Sequence, residues 1–72
     1  MDLHPATAAI LPYFDYDHLP PELADVSEPF HALAHRLSAQ LDGPELTAGL
    51  RKLLEAKDCA VRAALDPVKS GS

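Results

Sequence analysis

The stretch "LDGPEL", residues 41–46, stops one helix and starts another within six positions. Gly43 is suited to the left-handed backbone that ends a helix, and Pro44 has its φ preset for the first position of the next. Upstream, Leu23, Val26, Phe30, Leu33, Leu37 and Leu41 recur every three or four residues. Downstream, Leu46, Leu50, Leu53, Leu54, Val61, Ala64 and Leu65 fall in one arc at about 100° of turn per residue. A connection this short makes the two helices antiparallel neighbours. The expected fold is therefore all-α, an antiparallel helical hairpin.

Boundaries follow from local chemistry. Pro20 and Pro21 suit a helix start, where N–H groups have no intrahelical use. Pro29 interrupts the first helix, so it is either one helix from about residue 21 to 41 or a turn capped by Ser27 and a helix from about 28. The second helix runs from about 44 to 66, where "DP" ends it. Residues 1–12 hold Pro5 and Pro12 and little periodicity. They read as an arm, either disordered or docked on a neighbour. Three parts result: residues 1–19, arm and aromatic turn; 20–66, the hairpin; 67–72, a flexible tail.

Length and charge restrict the function. A 72-residue chain rarely gains more than about 3–5 kcal/mol from its core without a further staple. Cys59 is the single cysteine, so no internal disulfide forms, and a reducing, cytoplasmic setting is expected. His4, His18, His31 and His35 lack the paired spacing of a structural zinc site. By elimination, self-association is the expected staple. The net charge is −5; residues 1–43 carry seven acids against Arg36 alone, while residues 44–66 balance. Duplex nucleic acid demands a basic face that is absent here. No apolar run is long enough for a membrane span.

Lys57 is the residue that departs from the pattern, because it falls inside the leucine arc between Leu53 and Val61. An ammonium buried there without a partner would be costly. Either it snorkels to water or an anion or carboxylate meets it at an interface. Opposite the arc lie Ala48, Gly49, Ala56, Cys59, Ala60 and Ala63, small residues that would let another helix approach closely. Arg51, Glu55, Asp58 and Arg62 form a third stripe at helical spacing. "YFDYD", residues 13–17, gathers both tyrosines and one phenylalanine into one turn. His31 and His35 have i, i+4 spacing but no evident further ligand, so no metal is expected, and no catalytic constellation stands out.

The order of an aromatic turn, a proline-started helix, "DGP" and a second helix ending in "CAVRAAL" resembles a family of small phage-encoded helical hairpins. Those proteins are cyclic-oligonucleotide sponges against CBASS and Thoeris immunity. The resemblance spans about Tyr16 to Leu65. The family places a tyrosine before the first helix, a basic residue fifteen positions later, and an arginine in a segment like "ALVRAVA". Here these positions are Tyr16, His31 and Arg62. A histidine in place of a lysine is a departure, since imidazole carries a full charge only when protonated.

What the resemblance implies is a homo-oligomer, a hexamer in that family, capturing a cyclic di- or trinucleotide or a cyclic ADP-ribose-type signal in the bacterial host cytoplasm without hydrolysing it. Tyr16 would stack on a base, Arg62, Lys57 and Arg51 would hold phosphates, His31 would assist, and Tyr13 or Phe14 would close the pocket. No cofactor is implied. The alternative is a structural or protein-binding helical oligomer without a small-molecule ligand, and a DNA-binding helix-turn-helix is disfavoured by the acidic first half.

Overall fold

The computed structural model describes residues 3–65, which are helical without strands. The tail expected at residues 67–72 lies outside them. Three helices run α1 Pro5–Ile10, α2 Pro21–Gln40 and α3 Pro44–Leu65, with a 3₁₀ turn, Leu11–Phe14, directly after α1. α2 and α3 make the most extensive contact, the 3₁₀ turn lies mainly on α2, and α1 lies against α3. The molecule measures 45 × 22 × 16 Å.

The residues expected to form an arm are a built part of the core. His4 caps α1, its Nδ1 accepting the Ala6 N–H at 3.1 Å, and Pro5 occupies the first helical position. Thr7, Ile10, Leu11 and Phe14 are buried. Their spacing is a helical stripe whose first member, a threonine, does not announce itself as apolar. Asp15 N–H bonds the Pro12 carbonyl at 3.1 Å and the chain then leaves extended. Phe14 is fully enclosed, so it belongs to the core and closes no ligand pocket.

α2 is one continuous helix through Pro29. Its start is tied by Leu23 and Ala24 N–H bonds to the Pro20 carbonyl, at 3.0 and 2.8 Å. Pro29 leaves the Asp25 carbonyl without an intrahelical donor, and both residues are exposed. Ser27 caps nothing; it is buried inside the helix, and its Oγ has no hydrogen-bond partner among the described residues.

The buried face of α2 is rotated from the leucine arc expected of it. Ser27, Ala34 and Ser38 are its buried residues, Phe30 and Leu37 flank them, and Leu33 and Leu41 are exposed. Small side chains at the line of contact let helix backbones approach more closely than leucines would. Ser38 satisfies its hydroxyl by donating to the Ala34 carbonyl at 2.8 Å.

In the connection, Leu41 N–H still bonds the Leu37 carbonyl and Asp42 Oδ1 accepts the Gly43 N–H at 2.8 Å. Gly43 has the expected positive φ, +99°, but it does not stop α2, which ends at the extended Leu41; the Gly43 carbonyl accepts the Leu46 and Thr47 N–H at 3.1 and 3.4 Å and opens α3. α3 buries Leu46 and Leu50 in its first two turns and keeps Leu53, Leu54, Val61 and Ala64 half-buried. Of the small face, Ala48, Gly49, Ala56, Cys59 and Ala63 are exposed and Ala60 is half-buried. Leu65 is 62% exposed. The cluster of Ile10, Leu11, Phe14, Ala34, Leu46 and Leu50 is thus confined to the part that α1 and the 3₁₀ turn cover.

Two expectations follow for chemical or thermal unfolding followed by circular dichroism. Phe14→Ala removes about 3–5 kcal/mol, comparable to what a core of this size supplies, so the variant is expected to be unfolded. Tyr13→Ala, at a side chain 66% exposed, should stay within about 0.5 kcal/mol of the parent. The glycines should respond with opposite signs, since a Cβ at either Gly43 or Gly49 meets nothing within 4 Å. Gly43→Ala should destabilise by about 1–2 kcal/mol through its left-handed φ, whereas Gly49→Ala, in a helix interior, should stabilise by about 0.8–1.0 kcal/mol.

Candidate functional site

Of the residues singled out from sequence, Tyr16 and His31 are brought into contact. After the 3₁₀ turn the chain reverses before α2, with Leu19 N–H bonding the Tyr16 carbonyl at 3.0 Å. This lays the Tyr16 ring beside the second and third turns of α2. Tyr16 and His31 meet edge to face, ring centroids 5.2 Å apart and planes at 79°. His35, one helical turn beyond His31, stands 4.3 Å from it with the rings tilted by 40°. Asp15 Oδ1 lies 3.8 Å from His31 Nε2. The result is a row of three rings with a carboxylate at one side.

The row is partly open to solvent. Tyr16 and His31 are half-buried and His35 is exposed. The edge-to-face geometry is the one favoured by aromatic quadrupoles. Among the described residues Asp15 supplies the one fixed charge paired with the row. It takes the place beside His31 that an anionic guest would want. Sequence reasoning considered His35 for a metal and missed Asp15 altogether; its position next to Tyr16 in "DYD" was the available signal. Among the described residues no three histidine, cysteine, aspartate or glutamate side chains are grouped to hold a metal ion.

The cations of α3 do not join this row as one set. At about 1.5 Å of rise per residue, Arg51, Lys57 and Arg62 are strung along α3 and cannot meet on one phosphate of a single chain. Lys57 has only 12% of its side chain exposed, and its Nζ lies 3.4 Å from Oδ1 of the adjacent, half-exposed Asp58. The carboxylate that the ammonium reaches is on its own helix and not at an interface. Arg62 Nη2 donates to Cys59 Sγ at 3.3 Å, on the exposed side of the same segment. Tyr13 is exposed.

Arg51 lines a different feature, a groove of about 510 Å³ between α1 and the start of α3, together with His4, Thr47 and Lys52. A second groove, about 820 Å³, runs on the α2 side of α1 and is lined by Leu11, His35, Ser38 and Leu46 among others. His4 borders both. Neither groove encloses the Tyr16 ring.

The Lys57 environment makes a direct prediction. Lys57→Met keeps the buried stem and removes the charge, so thermal unfolding should occur at the same or a higher temperature, by analogy with ion pairs replaced by apolar residues. Lys57→Ala should lower it by about 1 kcal/mol or more through lost packing. Comparison with protein-family models, with curated proteins and with solved structures found no match.

Proposed function

We propose that this chain is a phage-encoded sponge for cyclic nucleotide signals. In this reading it captures a cyclic di- or trinucleotide, or a cyclic ADP-ribose-type molecule, in the bacterial cytoplasm and withholds it from CBASS or Thoeris effectors without breaking a bond. α2 and α3 form an antiparallel hairpin, joined by three residues, and copies of it assemble into a homohexamer.

The observation that carries the reading is the contact of Tyr16 with His31, residues fifteen apart that the turn before α2 brings within 5.2 Å. Tyr16 offers a face on which a base can stack, worth about 1–3 kcal/mol. His31 offers a ring donor to a phosphate oxygen, strengthened when it is protonated. Lys57 and Arg62 reach the ligand from the far segment of a neighbouring copy, and guanidinium suits phosphate through paired donors. Arg51 joins from another copy or stands outside the pocket. Tyr13 flanks it. A ligand phosphate at His31 must displace Asp15, which sets the affinity below what the ring row alone would give.

Assembly has its own support. The second half of α3 leaves Leu65 exposed and the small-residue face uncovered, and a chain of this size has no disulfide to compensate. That same exposure favours the second reading, a helical oligomer that binds protein alone. Titration calorimetry with a panel of cyclic nucleotides, on protein whose mass is measured under native conditions, separates the two. The sponge reading expects binding, recovery of the ligand intact, a loss of about tenfold or more in Tyr16→Ala, and tighter binding in Asp15→Asn. Absence of heat with every member of the panel, from a folded oligomer, would end it in favour of the protein-binding reading.

A further inference from the structure

We infer that the groove between α1 and the start of α3 is a binding site for a small organic phosphate, a nucleoside monophosphate in size and charge. The inference does not rest on the Tyr16 row. Its volume of about 510 Å³ lies within the roughly 300–1,000 Å³ of small-molecule sites, far more than a bare phosphate fills. Ala6, Pro44 and Ala48 give it a floor of short apolar side chains. Around that floor the polar groups are mostly donors.

Each donor has a physical origin. Arg51 and Lys52 are two of the five lysines and arginines among the described residues, and both line this one groove of an acidic chain. Among the described residues no carboxylate lies within 4.0 Å of either, the ion pairs being those of His31 and Lys57. His4 accepts the Ala6 N–H through Nδ1, so in the neutral ring the proton sits on Nε2, which is then a donor. Thr47 adds a hydroxyl. The groove thus offers an anion two fixed cations and two neutral donors against one acid, Glu55.

Glu55 defines the other limit. It lines the same groove one helical turn beyond Arg51, where it repels a second phosphate and can accept a hydrogen bond from a hydroxyl or amine. The complementary ligand therefore carries one phosphoryl group toward Arg51 and Lys52, an apolar or aromatic body over Ala48, and a donor toward Glu55. Polyphosphates and duplex nucleic acid fit this charge pattern poorly.

The test is amide-resolved NMR of the full chain titrated with adenosine 5′-monophosphate to about 10 mM, a range that detects millimolar affinity. The expected result is saturable shifts centred on Gly43, Thr47, Ala48 and Arg51. Adenosine alone and inorganic phosphate alone should each bind at least about tenfold more weakly, since each keeps only part of the contacts. Arg51→Gln combined with Lys52→Gln, both at exposed positions, should weaken binding by about tenfold or more with unchanged helical dichroism. Tyr16→Ala should leave it unaltered. No shifts, shifts spread over the whole chain, equal binding of adenosine, full affinity in the double variant, or loss of binding in Tyr16→Ala would each overturn the proposal.

Discussion

Phe14 is the contact on which the rest of this structure depends. Two helices laid side by side bury one stripe each and leave the groove between them open, so a helix pair needs a third layer to enclose any residue fully. Here that layer is six residues of α1 and the 3₁₀ turn, which set Phe14 against Ala34 and Leu50 so that none of the three is exposed. The aromatic ring is large, and the α2 residues beneath this layer are small. Ser27, Ala34 and Ser38 keep α2 close to its neighbours, and the polar oxygens this introduces are settled in one case by the Ala34 carbonyl and in the other left without a partner. An unpaired buried hydroxyl costs about 1–3 kcal/mol, and the close helix approach must outweigh it.

What could be read from the sequence, and what could not, divides along the same physical line. The positive φ of Gly43, the helix start at Pro44 and the leucine arc of α3 were legible because each depends on a local rule, a φ preference or a period. α1 was hidden because two prolines suggest an irregular arm and because the first member of its buried stripe is Thr7. The facing side of α2 was misjudged for a related reason. Periodicity locates the largest apolar residues, whereas close helix contact selects the smallest, so Leu33 was expected inside and Ala34 is inside instead. The Tyr16–His31 contact had no local signature at all, since it is made by a turn whose geometry depends on where the 3₁₀ segment is anchored.

That anchoring links fold to site. Phe14 and Tyr16 are two residues apart, with Asp15 extended between them. Burial of the first fixes the direction in which the second leaves, and the carboxylate between them is carried to His31 as a consequence. The three rings Tyr16, His31 and His35 are therefore positioned from both sides, by helix spacing on α2 and by the core through Phe14. A side chain held in this way loses less freedom on binding than one on a free loop, which is the condition under which modest stacking and hydrogen bonding give useful affinity.

The uneven burial of α3 sets a condition on anything that covers its second half. Beyond Leu50 no described residue of that helix is fully buried, and the apolar residues Leu53, Leu54, Val61 and Leu65 lie on either side of Lys57 in the chain. A covering surface gains by removing those side chains from water, at about 25 cal/mol per Å². It also takes solvent from an ammonium whose recorded carboxylate is the half-exposed Asp58 at 3.4 Å. Burial that is wholly apolar would strand that pair and forfeit part of the gain. A covering surface must therefore bring an acceptor or keep a path to water at Lys57. This requirement falls on a neighbouring copy, a ligand or an unrelated protein alike.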